Sequence, residues 1–133
     1  ILMFADIGYV YMLTHEYTAV QPSDALDFST YQASGNTLIL NINREFILAN
    51  ISNSGSMHPT VSDNSQAIEI KPIKAEIYVG DIIVYVCNDV KIMHRVVKIE
   101  NGIYTTKGDN NFNADSCTPT FEDIKWKVVG IIY

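Results

Sequence analysis

From Asn36 onward the chain is written in short apolar runs rich in β-branched residues, separated by polar pairs at short intervals. Thr37–Ile42 (TLILNI) and Glu45–Ile51 (EFILANI) have the length and composition of strands, and Ala67–Ile70, Ile82–Cys87, Ile92–Ile99, Ile103–Thr106 and Val128–Tyr133 continue the series. Asp63-Asn64, Gly80-Asp81, Asn88-Asp89, Asn101-Gly102 and Gly108-Asp109 read as the turns between them. Asn101-Gly102 is the clearest hairpin signal, because both residues tolerate the positive φ angles of a type I′ turn. No apolar period near 3.6 persists after Asn36, so no secure helix is expected there. The pattern predicts a mainly β domain over residues 36–133, with Val128–Tyr133 as a buried closing strand.

Residues 1–35 have another texture. Ile1–Leu13 (ILMFADIGYVYML) is an apolar run interrupted by Asp6 and Gly8, shorter than the roughly 20 residues that span a bilayer. Two readings stay open for it: the remainder of an N-terminal membrane segment, or an amphipathic segment packed on the domain. Thr14–Gly35 is polar and turn-rich, with Pro22, Ser23, Asp24, Ser34 and Gly35, and reads as a linker. A signal-peptide pattern is not expected, since no basic stretch precedes the run and no small-x-small site follows it.

Length and charge narrow the classes. At 133 residues the chain is sized for one domain with its own core. Nine Lys+Arg against 15 Asp+Glu, a formal net charge of -6, argue against nucleic acid as a partner. Cys87 and Cys117 match no metal or redox spacing; they read as two small thiols, with their pairing left open. No metal site is expected.

Four stretches carry candidate chemistry: Ser54-Gly55-Ser56-Met57-His58-Pro59-Thr60, Gly80-Asp81-Ile82-Ile83-Val84-Tyr85, Met93-His94-Arg95-Val96-Val97, and Lys107-Gly108-Asp109-Asn110-Asn111 with Asp115 beyond. Each alone is weak. Together they supply what a serine nucleophile requires: a hydroxyl at Ser56, a base at His94, and a carboxylate at Asp109 or Asp115 to orient that base. Gly55 allows a sharp turn that presents Ser56 Oγ and aims its N–H at an incoming oxyanion, and Pro59 fixes the exit from the turn. His58 is a second, less favoured base. Lys91 lies three residues before His94, which on a strand puts the two side chains on opposite faces and makes a Ser-Lys dyad a minor alternative.

In this order the four stretches resemble the type I signal peptidases, specifically the branch of archaea and the endoplasmic reticulum, where histidine stands in place of the bacterial lysine. The resemblance covers roughly residues 51–133 and implies a signal-peptidase-like antiparallel sheet or partial barrel. It implies Ser56 as nucleophile, His94 as general base, Asp109, Asp115 or both as acidic partners, and Ser54 with the Ser56 N–H as oxyanion donors. Met57 and Pro59 are expected to touch substrate. The substrate implied is the extended signal-peptide region of a pre-protein, cut after a small-x-small site on the extracytoplasmic or lumenal side of a membrane. A lipid surface is an expected partner, and no cofactor is implied. Val61–Val79 is longer and more polar than in the compact form of the family and reads as an insertion or lid-like excursion. Two rival readings remain, a self-cleaving repressor-type serine protease and a catalytically inactive extracytoplasmic β-rich interaction module.

Overall fold

The computed structural model describes Pro22, Ser23 and residues 31–133. The apolar run Ile1–Leu13 and most of the expected linker lie outside the described residues. Eight strands follow: β1 (Tyr31–Ser34), β2 (Thr37–Leu40), β3 (Phe46–Asn50), β4 (Gln66–Ile70), β5 (Ile82–Cys87), β6 (Val90–Glu100), β7 (Ile103–Lys107) and β8 (Ile124–Ile132). β1 and β2 form a separate hairpin, and the other six make one antiparallel sheet in the order β3-β4-β8-β5-β6-β7. The only helical turns among the described residues are short 3-10 pieces at Lys74–Glu76 and Phe121–Asp123.

The sheet is buried on both faces near its centre, and β5 shows how. Ile82 and Val84 join Met57, Val61, Ala67 and Val128 on one face, while Ile83 and Tyr85 join Ile77, Val96, Tyr104 and Ile124 on the other. A strand packed on both sides loses its polar alternation and reads as one apolar run, as Ile82–Tyr85 does. Each such aliphatic side chain contributes roughly 1.5–3 kcal/mol of transfer free energy. Register shifts between Ile68 and Glu69, Val84 and Tyr85, and Val96 and Lys98 mark bulges, which add local twist to the sheet.

The hairpin at Asn101-Gly102 has the left-handed φ values its sequence calls for, 51° and 77°. The Asn88-Asp89 turn between β5 and β6 is built the same way, at 49° and 63°. Several expectations are revised. Tyr31–Ser34, assigned to the linker, forms β1 because it pairs with Thr37–Leu40 across a tight turn. Val61–Val79 is no excursion: it contains β4, which is paired on both edges by β3 and β8. The last strand starts at Ile124 rather than Val128, lies inside the sheet, and ends with Ile132 and Tyr133 exposed. Its early residues hid among Lys125 and Lys127, yet Lys127 is buried, because its ammonium meets Asp81 Oδ2 at 2.9 Å, the Glu76 carbonyl at 2.8 Å and Ser23 Oγ at 2.7 Å. Ser23 also donates to Asp81 from its N–H and its hydroxyl, which ties a described piece of the N-terminal region to the sheet. Cys87 and Cys117 are joined as a disulfide, with Cα atoms 6.4 Å apart, so the reading of two free thiols is corrected. No helix among the described residues is long and apolar enough to cross a membrane.

Candidate active site

Ser56 sits in the turn after β3. Gly55 takes φ +68°, and an added Cβ would meet nothing within 4 Å, so the need for glycine there is one of backbone conformation rather than space. Behind the turn, Met57 and Val61 are buried in the core, and the Val61 N–H donates to the Met57 carbonyl at 2.9 Å. From the far end of the sheet, the Asn110 N–H donates to the Ser56 carbonyl at 2.8 Å and Asn110 Nδ2 to the Gly55 carbonyl at 3.1 Å. The Ser56 turn is therefore held on two sides.

His94 lies mid-way along β6, opposite Ile83 of β5. Its Nε2 is 3.0 Å from Ser56 Oγ, and its Nδ1 is 2.7 Å from Asp115 Oδ2. A carboxylate only accepts, so Nδ1 carries the proton and Nε2 is left as the acceptor facing the serine hydroxyl. Asp115 is placed by its own N–H, which donates to the Thr106 carbonyl at 2.8 Å. Its Oδ2 also accepts from Tyr85 Oη at 2.9 Å and Thr106 Oγ1 at 2.7 Å. Burial, relieved in part by the Thr106 hydrogen bond and reinforced by Asp115, pushes the Tyr85 hydroxyl up to about 12, so it stays a donor to Asp115. Tyr85 and Thr106 lie within or beside the recognisable stretches but carry no obvious chemical signal; only the fold turns them toward Asp115.

That raised tyrosine has a consequence for stability. The unfolded side chain deprotonates near its ordinary value of about 10 while the folded one holds its proton to about 12. The unfolded state then binds fewer protons, and stability is lost as pH rises through this window, by on the order of 2 kcal/mol. Tyr104, also raised by burial, adds to the loss with the same sign. Denaturant midpoints measured from pH 9 to 12 are expected to fall less steeply in Tyr85→Phe than in the wild type.

The expected acidic pair is divided by the structure. Asp115 bonds His94, whereas Asp109 accepts from Arg95 Nε at 2.8 Å and Nη2 at 2.7 Å, in a pair whose side chains are both buried. Asp109 as a residue orienting His94 is corrected on that ground, since its two oxygens face the guanidinium. Arg95 Nη1 also donates to the Gly80 carbonyl at 2.7 Å, so the pair ties the Gly80-Asp81 stretch to the Gly108-Asp109 stretch. Ser54 Oγ lies 3.2 Å from Ser56 Oγ and accepts from the Ser56 N–H at 3.5 Å, so the two groups expected at an oxyanion lie together beside Ser56 Oγ. Met57 is buried beneath the turn and lines the groove described below, while Pro59 is exposed and does not line it. His58 Nε2 faces Asp63 at 3.7 Å, and the imidazole bonded to Ser56 is that of His94.

Gly108 makes the tightest approach at the site. A Cβ there would stand 2.6 Å from the Ser56 carbonyl oxygen and 2.7 Å from Asn111 Nδ2. Gly108→Ala is expected to push the Ser56 turn off His94 and lower any Ser56-dependent turnover by roughly 100-fold. Comparing kcat with the thermal midpoint separates this from unfolding.

Ser56 and His94 open onto a groove of about 690 Å³. One wall is the stretch Asn50–Ser52 with Ile47 and Ala49, the other is Val90–His94, and Glu69, Val84 and Trp126 form the floor. On β6, pairing with β7 begins only at Arg95, so the outer edge of Val90–His94 has no strand partner among the described residues. Glu69 is 3% exposed, and burial raises its carboxyl, an effect eased by the charge of Lys91. Among the described residues no group of three or more His, Cys, Asp or Glu is placed to hold a metal ion. No protein-family model matches this chain, and no curated protein matches it.

Proposed function

We propose that this chain is the catalytic part of a serine endopeptidase of the signal-peptidase type, cutting extended segments of exported pre-proteins after small-x-small sites at a membrane. The observation that carries the reading is the continuous path Ser56 Oγ–His94–Asp115, at 3.0 and 2.7 Å, opening beside a strand edge that has no partner among the described residues. A strand edge binds an extended peptide through main-chain hydrogen bonds and leaves alternate side chains to the groove. The apolar side chains exposed on the β1–β2 hairpin, Leu38, Ile39 and Leu40, support contact with a lipid surface.

In the proposed reaction Ser56 Oγ attacks the scissile carbonyl carbon while His94 Nε2 takes the hydroxyl proton. The oxyanion forms beside the Ser56 N–H and the Ser54 hydroxyl. The C–N bond breaks as His94 returns the proton to the leaving amine, and an ester to Ser56 remains. A water deprotonated by His94 then hydrolyses the ester and restores the serine. Asp115 keeps the imidazole in the Nδ1–H tautomer and stabilises the imidazolium. The test is incubation with a membrane-associated pre-protein, mapping the cut by mass spectrometry. One cut after a small-x-small site, absent with Ser56→Ala, is expected; no Ser56-dependent cut in a folded sample overturns the reading. Self-cleavage coupled to DNA binding would instead favour the repressor-type protease.

A further inference from the structure

Cys87 and Cys117 are not used by the chemistry above, yet each stands two residues from a member of the Asp115 network. Cys87 ends β5 and shares the strand face of Tyr85, whose hydroxyl donates to Asp115 Oδ2 at 2.9 Å. Cys117 follows Asp115 within residues 108–119, a stretch without helix or strand. Two main-chain hydrogen bonds tie that stretch to β7: the Asp115 N–H donates to the Thr106 carbonyl at 2.8 Å, and the Tyr104 N–H to the Pro119 carbonyl at 2.9 Å. The disulfide falls between these two ties and binds the same stretch to β5. Both cysteines pack, half-buried, against the cluster that holds Ile83, Tyr85, Val96 and Tyr104. One covalent bond therefore joins the strand that supplies a donor to the loop that supplies the carboxylate.

We propose that the Cys87–Cys117 disulfide positions Asp115 against His94, so that the proposed relay is drawn tight in the oxidised protein and slackens on reduction. This rests on the peptidase reading and adds a redox control to the same site. A dithiol reductant passes two electrons and two protons to the bond, leaving two thiols here and a disulfide on the reductant. A disulfide donor such as oxidised glutathione reverses the exchange. Without the bond, Asp115 is held by hydrogen bonds from Tyr85, Thr106 and its own N–H, and a displacement of about 1 Å is enough to cost such a relay about 100-fold. Thiols stay reduced in a cytosol and pair in oxidising surroundings, so the relay tightens once the domain stands on the far side of the membrane.

The test compares the oxidised protein, the same sample reduced with dithiothreitol and then reoxidised, and the Cys87→Ala, Cys117→Ala double variant. Two signals are read: kcat on a pre-protein, and the proton on His94 Nδ1, which a carboxylate partner moves far downfield of the amide signals. The chain has three histidines, so selective labelling and the loss of one signal in His94→Ala assign it. Reduction and the double variant are each expected to lower kcat roughly 10- to 100-fold and to weaken the His94 signal, with both restored on reoxidation. In Asp115→Asn, already about 10⁴-fold down, reduction should change kcat less than about 2-fold, because a bond that acts through Asp115 has nothing left to position. An equal proportional loss in Asp115→Asn, which general loosening or unfolding would also give, overturns the proposal. A His94 signal that weakens on reduction in a protein with no Ser56-dependent cleavage keeps the positioning role and overturns the peptidase reading. Ser56-dependent cleavage and a His94 signal that are both indifferent to reduction do the reverse.

Discussion

Ser56→Ala and His94→Ala are each expected to lower turnover of a pre-protein substrate by about 10⁵- to 10⁶-fold, and Asp115→Asn by about 10⁴-fold. The first two remove the attacking oxygen and the atom 3.0 Å away that takes its proton. The third keeps the shape of the side chain but turns an acceptor toward a donor less reliably, so the imidazole is no longer held with its proton on Nδ1. Under the proposed mechanism the three groups act as one relay, so Ser56→Ala combined with His94→Ala should be little worse than either alone. Single-turnover cleavage measured at several pH values checks this. Losses that multiply in the double variant would show that His94 does not act through Ser56.

The second large effect falls on stability. Asp109→Ala leaves the Arg95 guanidinium buried beside the Gly80 carbonyl without its carboxylate. Breaking one side of such a pair costs about 3–5 kcal/mol, a large fraction of the stability of a domain this size. Urea unfolding of Asp109→Ala should show a much lower midpoint, whereas Asp115→Asn should unfold close to the wild type. The two acidic residues, six positions apart, are thereby separated by different assays. An Asp109→Ala protein of normal stability and lost activity would return Asp109 to the chemistry.

Much of the sheet was legible because β5 is a run of Ile, Val and Tyr, β7 opens on Ile-Tyr-Thr-Thr, and β6 keeps Val and Ile recurring among its polar residues, all between Asn, Asp and Gly turns. What escaped depended on contacts between distant residues. YQAS is too short and too weakly apolar, with Tyr31 and Ala33 between Gln32 and Ser34, to stand out from the polar stretch before it, and it becomes β1 through its pairing with β2. Lys127 looked like a surface residue until Asp81, Glu76 and Ser23 were brought around its ammonium. Ser56 and His94 were readable as motif residues. The choice between Asp109 and Asp115 was not, because both follow the same turn and only the folded loop decides which carboxylate meets an arginine and which a histidine. Glu69 gave no signal, since one acidic residue in a half-polar strand looks like an outward-facing position until the opposite face is seen to be the groove.

The place of β8 in the sheet bears on when such a protein becomes dangerous to its surroundings. Ser56 belongs to the β3–β4 half, His94 and Asp115 to the β5–β7 half, and among the described strands it is β8 that pairs the two halves, with Asn110 bonding the Ser56 turn beside it. Residues 124–132 leave the ribosome after every one of these groups. A nascent chain holding the entire relay in its sequence therefore still lacks the strand that joins nucleophile to base, and the proposed activity is withheld until synthesis has passed it.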